Sequence, residues 1–328
     1  MFRLCSYIEI GSYKLRGGVN SVTVKKSVNT IVDTASIKLP SIGRIVTGDD
    51  NLPYSSIETA TLFREGDRVK IDLGYNNNLK TEFEGFVRRV NLAAPVHIEL
   101  EGYAWQLRKK TIKASWRNVT LRQVLEKVVE GTDIVLSDEI PVTNLLRLAI
   151  PNQTGLQVLE YLKEKLLLTV YFDGKVLYAG LEEGVMKGEV KYRLGWNVIR
   201  DDNLKYRIAD DNQVRVRIVK KLQKGEQILY ESGDPNGEIV KREVPNWEEP
   251  DKLKQIAAKV LREKKFTGFE GTITAFLEPY CAPSYTAEII DKKYGKRDGK
   301  YFVASTEVQF GMRGARRKVE ITRRLDID

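Results

Sequence analysis

The sequence predicts a mainly β protein with α+β insertions, in which two related tube-like β-barrels flank a small α+β module and the second barrel carries a helical insert. Three observations predict this fold class. Apolar and polar residues alternate at both ends of the chain, two short capped helices are indicated in the middle, and a strand–turn–strand pattern of the first part recurs in the last. The 328 residues suffice for two or three cores of this kind.

The first barrel is expected over residues 1–112. The stretches SVTVKKSV and DTASIKLP alternate with the period of half-buried strands. A polar connection from Gly74 to Asn78 separates two further strands and predicts a hairpin. HIELEGYAWQL is expected to be the closing strand, and residues 42–60 a long loop. About six short strands at this spacing are typical of a small barrel or sandwich.

The α+β module is expected over residues 113–203, where the chain repeats the pattern N-x-T-x-x-Q-V-L-E. In each copy T-x-x-Q predicts a capping box, with Thr120 and Gln123 in the first and Thr154 and Gln157 in the second. Apolar residues follow at helical spacing, so each copy predicts the start of a short helix with one buried face. Two strands joined by Asp173-Gly174 then predict a hairpin.

The second barrel is expected over residues 204–328, with a helical insert around residues 234–285. EEPDKLKQIAAKVLREKK predicts one helix with Pro250 in its first turn. The stretch that begins at Ala287 matches the one that begins at Val69 in its succession of strand, polar turn and strand. QVRVRIVKK is interpreted as the counterpart of SVTVKKSV. These matches predict a duplicated barrel.

Composition points away from catalysis. The net charge is +9, which favours contact with nucleic acid or an acidic protein surface, and the two cysteines predict no disulfide framework. The one histidine, His97, lies in an alternating stretch, and no metal-ligand spacing, nucleophile motif or phosphate-binding motif is present. We therefore expect no enzyme, no metal and no cofactor. No apolar run approaches the roughly 20 residues of a membrane helix.

The order of these parts resembles the phage baseplate hub proteins of the late control protein D family. The resemblance is carried by EGDRVKIDLGY followed by EFEGFVRRV, by the helix start from Trp116 to Leu125, by YFDGKVLYAG, and by AAKVLREKK before FEGTITAF. It covers nearly the whole chain. The segment EPYCAPSYTAEIIDKKYGKRDGK departs from the family, since it is longer and more basic than the usual proline- and glycine-marked turn.

The resemblance implies a structural role as the hub of a phage tail or a related contractile injection system. Hubs of this family are homotrimers that join the sixfold tail tube to a threefold spike. The implied partners are tail tube rings above, a separate spike protein below and baseplate wedge proteins, with DNA only as transiting cargo. The implied place is the tail or baseplate of the virion, assembled in the cytoplasm of the bacterial host. Two similar barrels in each of three subunits would give six similar surfaces.

Seven basic residues are candidates for an interface: Arg88, Arg89, Arg316, Arg317, Lys318, Arg323 and Arg324. The first two end one strand and the other five lie in the last hairpin. Strand alternation places Arg316 and Lys318 on one face and Arg317 on the other. Contacts between subunits or with a tube ring are favoured, while solvent and DNA remain as alternatives for these side chains.

Two other classes of protein compete with a hub. An OB-like nucleic-acid-binding protein would use the basic charge together with Tyr103 and Trp105 as a stacking surface, although Leu107 on the same predicted face indicates core. A hydrolase on a tail scaffold would need catalytic motifs that the sequence lacks. Salt-sensitive DNA binding would favour the former, and polysaccharide cleavage the latter.

Overall fold

The structure is a computed structural model that describes residues 3–45, 55–180, 186–201, 203–221, 225–244, 250–293 and 295–325. The mainly β fold class is confirmed. Within the described residues, most strands join one 14-stranded sheet, and smaller sheets and helices pack against it. The chain divides into a first β region, a middle module, a second β region and a side sheet with its helix.

The first β region forms one antiparallel sheet with the strand order β2-β1-β7-β8-β9-β4-β3. Asn76 and Asn77 join β7 to β8 with positive φ values of 50° and 64°, as a tight two-residue hairpin turn requires, so the predicted hairpin is confirmed. The predicted loop 42–60 contains two short paired strands, and its residues 46–54 lie outside the described ranges. The strands are β1 (Leu4–Ile10), β2 (Tyr13–Arg16), β3 (Ser21–Ser27), β4 (Thr34–Leu39), β5 (Ile42–Ile45), β6 (Ser55–Glu58), β7 (Arg68–Tyr75), β8 (Asn78–Asn91) and β9 (Val96–Glu101).

The aromatic stretch after β9 forms a helix, α1 (Ala104–Lys109), and the prediction that it continues the strand was wrong. Ala104 and Leu107 are buried, and they belong to the core shared with the middle module. The spacing of three between these two residues suits a helix, whereas the alternation seen in a window of a few residues suited both structures. Burial against α3 therefore decided the local structure.

The middle module is an antiparallel ribbon whose two strands each lead into a capped helix. Its elements are β10 (Thr111–Thr120), α2 (Leu121–Val129), β11 (Val135–Leu136), β12 (Asn144–Thr154), α3 (Gly155–Lys165), β13 (Thr169–Asp173) and β14 (Val176–Gly180). Both predicted capping boxes are confirmed. The Gln123 amide N donates to Thr120 Oγ1 over 3.2 Å, and Gln157 makes the same 3.2 Å bond to Thr154. The glutamine side chains bond back to the cap backbones.

The repeated asparagine has its own structural reason. Asn118 and Asn152 have φ values of 54° and 57°, in the left-handed region that asparagine tolerates better than most residues. Each lies two residues before the capping threonine, at the end of its strand. The N-x-T pattern therefore turns the chain from the ribbon into the first turn of the helix.

The second β region continues the sheet of the first. Its strands are β15 (Glu189–Arg193), β16 (Val198–Arg200), β17 (Lys205–Arg207), β21 (Gly268–Ala275), β22 (Thr286–Ile290), β23 (Gly299–Gly311) and β24 (Gly314–Arg324). We propose that this region begins before residue 204, because β15 pairs with β22 and β16 pairs with β21. The β23–β24 hairpin reaches the first β region, where the C-terminal half of β23 pairs with β3.

The side sheet lies between β17 and β21 in the sequence. It consists of β18 (Val214–Lys221), β19 (Glu226–Gly233), β20 (Glu238–Glu243) and the helix α4 (Pro250–Lys264), which begins at the predicted proline. The interpretation of QVRVRIVKK as the counterpart of SVTVKKSV was wrong. Its strand β18 pairs with β19 and β20, and its buried face packs on α4 and belongs to the same core as the middle module.

The two β regions nevertheless share one strand order. The order β7-β8-β9-β4-β3 of the first corresponds to β22-β23-β24-β21-β16 of the second, with every neighbouring pair antiparallel. The counterpart of β3 is therefore β16, and the match between the stretches that begin at Val69 and Ala287 corresponds to β7–β8 and β22–β23. Folded topology thus supports the duplication that the sequence predicted.

Candidate assembly surfaces

Arg88 and Arg89, near the end of β8, have exposed side chains. Arg88 Nε lies 3.9 Å from Glu101 Oε2, and Arg108 Nε donates to the other oxygen of this buried carboxylate over 2.6 Å. The tight partner of Glu101 is thus Arg108, while Arg88 stays about half exposed and contributes little to stability. Both Arg88 and Arg89 are available for contact with another molecule.

Arg317 is not a surface residue, and its selection as an interface residue was wrong. Its side chain is 1% exposed and lies between the two β regions. Nη2 donates to Glu82 Oε1 over 2.7 Å and Nη1 to Glu82 Oε2 over 3.1 Å, which is a bidentate pair. The guanidinium also bonds the backbone oxygens of Cys281 and Leu277. Arg317 therefore fastens β24 to β8.

The surroundings of Arg317 favour its charged form. Burial by itself lowers the pKa of Arg317, but the charge of Glu82 and its hydrogen bonds outweigh burial and raise the pKa above its usual value. The neighbouring Cys281 thiol has its pKa raised to about 11, chiefly by burial. A thiol with so high a pKa is a poor nucleophile at neutral pH. The buried cluster holds the regions together, and its cysteine is not poised for thiolate chemistry.

The other basic residues of the last hairpin spread along β24. Lys318 is exposed, with Nζ 3.8 Å from Glu307, and Arg316 is half-buried with its guanidinium over the Phe276 ring. Arg323 lies over the Phe302 ring at 5.5 Å, and Arg324 is half-buried at the end of the strand. Seven or eight residues along a strand span roughly 25 Å. The exposed and half-buried basic residues of the last hairpin therefore lie at two separate sites, one with Arg316 and Lys318 and the other with Arg323 and Arg324.

The aromatic surface proposed for nucleic acid is occupied by packing within the chain. Trp105 stacks on Phe86 at 5.0 Å between ring centroids, and Tyr103 meets the same ring edge-on at 5.6 Å. Lys109 Nζ lies 4.7 Å from the Trp105 ring centroid. Leu107 is fully buried, as its position suggested. The feature on which the OB-like alternative depended is a packed cluster.

An exposed apolar edge was missed by sequence reasoning. Ile199 in β16 and Tyr206 in β17 are exposed, and Trp196, just before β16, is 72% exposed. In the described residues, β17 pairs with β21 alone, and β16 pairs with β21 and makes one isolated bridge from Val198 to Leu194. Ile199 and Arg200 pair with no strand on the side away from β21 in this part of the chain, so β17 and the C-terminal part of β16 are edge strands. Large apolar residues on a free strand edge are a template for pairing with another chain. Their clustering within LGWNVIRDDNLKYRI was a signal that the sequence contained.

Two hairpin tips also expose large apolar side chains. Leu92, after β8, is 85% exposed, and Met312, after β23, is 87% exposed. The strands β8 and β23 are counterparts in the two regions, so the tips are equivalent. Four antiparallel pairings lead from β23 through β3, β4 and β9 to β8, so β23 and β8 run in the same direction. Both tips therefore lie at the same end of the strands of the sheet.

The described residues form no group of three or more His, Cys, Asp and Glu side chains that could hold a metal ion. Among the same residues, no helix is both long and apolar enough to cross a bilayer.

Comparison with known proteins finds likeness in structure alone. No protein-family model matches the chain, and no curated protein matches it in sequence. A tail protein from Neisseria meningitidis MC58 superposes with a TM-score of 0.69 and 12% identity, covering 97% of this chain and 96% of that one. The 43 kDa tail protein of prophage MuSo2 from Shewanella oneidensis gives 0.65 and 14%, covering 97% and 98%.

A third similar structure comes from a secretion system. The E. coli c3393 protein, a component of the type VI secretion system described as similar to the T4 tail proteins gp27 and gp5, has a TM-score of 0.60 and 9% identity. The match covers 97% of this chain and 77% of that one. At these identities the likeness establishes a fold: the chain has the fold of phage tail and baseplate proteins, in agreement with the resemblance noted in its sequence.

Proposed function

We propose that this protein is a structural baseplate hub of a phage tail or a related contractile injection system. The hub is a homotrimer that joins a sixfold tail tube to a threefold spike. The observation that carries the proposal is the repeated strand order, β7-β8-β9-β4-β3 and β22-β23-β24-β21-β16, within a chain that has a tail-protein fold. Three copies of two equivalent regions present six similar surfaces to a sixfold ring and keep threefold symmetry elsewhere.

The role is one of assembly and not of chemistry. The most strongly buried charged pair, Glu82 with Arg317, lies at the seam of the two β regions. Six candidate residues remain for contacts with neighbouring subunits or a tube ring: Arg88, Arg89, Arg316, Lys318, Arg323 and Arg324. A lining that attracts phosphate strongly would hold back DNA, which is cargo in transit.

The partners in this proposal are tail tube rings above, a separate spike protein below and baseplate wedge proteins around the hub. The protein then belongs to the tail or baseplate of the virion and is assembled in the cytoplasm of the bacterial host. The middle module and the side sheet, which share one core, lie outside the ring of β regions and face spike and wedge.

The test is the mass in solution, measured by native mass spectrometry and light scattering over a range of protein and salt concentrations. A trimer near three times 37.4 kDa is expected, with six β regions around a central hole in electron micrographs. The same measurement is repeated with candidate spike and tail tube proteins added. A chain that stays monomeric in every mixture, or that binds DNA tightly with a steep salt dependence, would refute the hub.

A further inference from the structure

The β23 strand uses one of its two sides for two partners in succession. On that side, its residues 299–302 pair with β22, and its residues 305–311 pair with β3 of the first β region. The hairpin of the second region thus extends the wall of the first. This junction is a template for how two such regions join side by side.

The counterpart strand β8 has the matching place open. Its residues from Asn78 to Phe86 pair with β7, and Val87 still exchanges backbone bonds with Gly66 and Asp67. Beyond that point, in the described ranges, residues 88–91 pair only with β9 on the other side. The partner that the template requires there is the counterpart of β3. That counterpart is β16, the strand with the exposed apolar edge.

We propose that residues 88–91 of β8 in one copy of the chain pair, antiparallel, with the edge strand β16 of a second copy. The proposal rests on the trimeric hub proposed above and deepens it by naming the subunit contact. Each copy offers both halves of the contact, so in a ring of three copies every such half is paired. The occupant of the β16 edge is a second copy because this chain itself contains the matching junction, between β23 and β3.

The register of the proposed β8–β16 pairing follows from tracing the pairing partners from strand to strand in each region. From Val308 the pairing partners are Arg317 in β24, Ala275 in β21 and Val198 in β16. In the first region the equivalent series of pairing partners begins at Val90, which the sequence match aligns with Val308. It passes through Ile98 in β9 and Ile37 in β4, and it ends at Val22 in β3. Val22 is therefore the counterpart of Val198.

Within the chain, Val308 faces Val24, two residues beyond Val22. The same offset in the second copy places Val90 opposite Arg200 and Asn91 opposite Ile199.

Charge agrees with this register. Arg89 faces Asp201, so a cation on one strand meets a carboxylate on the other, as opposite charges prefer across antiparallel strands. Asp201 already accepts from Arg297 Nη1 over 2.6 Å, and a carboxylate has room for a further donor. The template junction has the same character, since Glu307 faces Lys25 there. The exposed side chain of Ile199 is covered by the neighbouring strand.

Engineered disulfides test the contact. Directly opposed residues have Cα atoms about 4.5–5.5 Å apart, which a disulfide can bridge. In a Cys5→Ser background, Asn91→Cys with Ile199→Cys is expected to oxidise to a covalent trimer that reductant dissolves. The pair Arg89→Cys with Ile199→Cys checks the register. Asn91→Cys with Ile239→Cys is the matched control, because Ile239 is also exposed but lies on β20 in the side sheet.

Mixing two single-cysteine proteins, Asn91→Cys and Ile199→Cys, is expected to give a cross-linked dimer that neither gives alone. A protein of trimeric mass with no cross-link from positions 89–92 to Ile199 would overturn the pairing and leave the hub standing. A disulfide formed within one chain would also overturn it. A protein that is monomeric alone and with its partners would overturn both proposals.

A charge at the edge gives a second readout. Ile199→Lys is expected to lower the mass in solution from three chains to one, while the circular dichroism spectrum of the folded chain stays that of the parent. Ile239→Lys is expected to leave the trimer intact. A trimer that tolerates lysine at position 199 would contradict the proposed edge.

Discussion

The first and second β regions share a strand order and differ in what covers one strand. In the first, the outer side of β3 is covered by β23, which comes from the second region. In the second, the equivalent strand β16 pairs with β21 and, among the described residues, has only one isolated bridge besides, from Val198 to Leu194. A chain that contains two copies of a unit can make one of the two equivalent junctions internally. In the subunit contact proposed above, the other junction is made with a second copy of the chain.

The largest expected effect comes from breaking the seam between the regions. Glu82→Ala leaves the Arg317 guanidinium buried without its partner, at 1% exposure, and is expected to lower the free energy of unfolding by about 3–5 kcal/mol. Urea denaturation followed by circular dichroism measures the loss. The substitution is also expected to loosen the first region from the second and to increase proteolysis of the loop around Leu277.

Two controls make this test specific. Glu307→Ala removes the partner of Lys318 in a partly exposed pair at 3.8 Å, where about 1 kcal/mol or less is expected. The double substitution Glu82→Leu with Arg317→Leu removes both charges and is expected to recover most of the stability. If Glu82→Ala cost no more than Glu307→Ala, the seam would not depend on the ion pair.

A second effect belongs to the first region alone. Asp33, between β3 and β4, is buried, and burial raises its pKa to about 7 against the opposing charge of Lys26. Because the native state then holds a proton that the unfolded chain has released, stability falls as pH rises from about 4 to about 7. The loss is on the order of 3 kcal/mol.

Unfolding of the parent and of Asp33→Asn at pH 5 and pH 7.5 measures this dependence. The free energy of unfolding of the asparagine variant is expected to change less between these two pH values, since the asparagine side chain is neutral at both. The equivalent connection in the second region, between β16 and β21, holds the side sheet and α4. An unchanged slope in Asp33→Asn would assign the pH dependence to other groups.

The smallest effect tests the other duplication, in which the two copies are equivalent. Thr120→Ala and Thr154→Ala each remove one helix cap and are each expected to cost about 1 kcal/mol. The serine variants keep the hydroxyl and are expected to be near neutral. Equal losses at the two positions, measured by thermal unfolding, support equivalent roles. A loss at one cap only would show that the two helices differ in how much packing holds them.

Local chemistry was predictable from the sequence. The two capping boxes, the Asp173-Gly174 turn, the Asn76-Asn77 hairpin and the start of α4 at Pro250 all depend on residues a few positions apart. Their signals are strong because a cap or a tight turn accepts few residue types. The mainly β class followed from the same short-range alternation.

What could not be predicted depends on partners distant in sequence. Arg317 is buried with Glu82, which lies 235 positions away in the sequence. Strand alternation predicted that Arg317 lies on the opposite face of β24 from Arg316 and Lys318, but it did not predict what covers that face. The strand β16 pairs with β21, and the whole side sheet lies between these two strands in the sequence. The alternating stretch QVRVRIVKK was therefore chosen as the counterpart of β3 in place of β16. The helix α1 was decided by burial against α3, which its own short stretch does not show.

The β23–β24 hairpin is a wall common to both β regions, because the same two strands supply side chains to both cores. Val308, Phe310 and Ala315 pack in the first, and Tyr301, Val319 and Ile321 in the second. Neither half has a complete interior of its own, so the two unfold as one cooperative unit. Seven residue pairs join β23 to β3, and a pull along the strands loads them together in shear. Force applied to the folded protein is therefore transmitted between the two β regions through the β23–β24 hairpin.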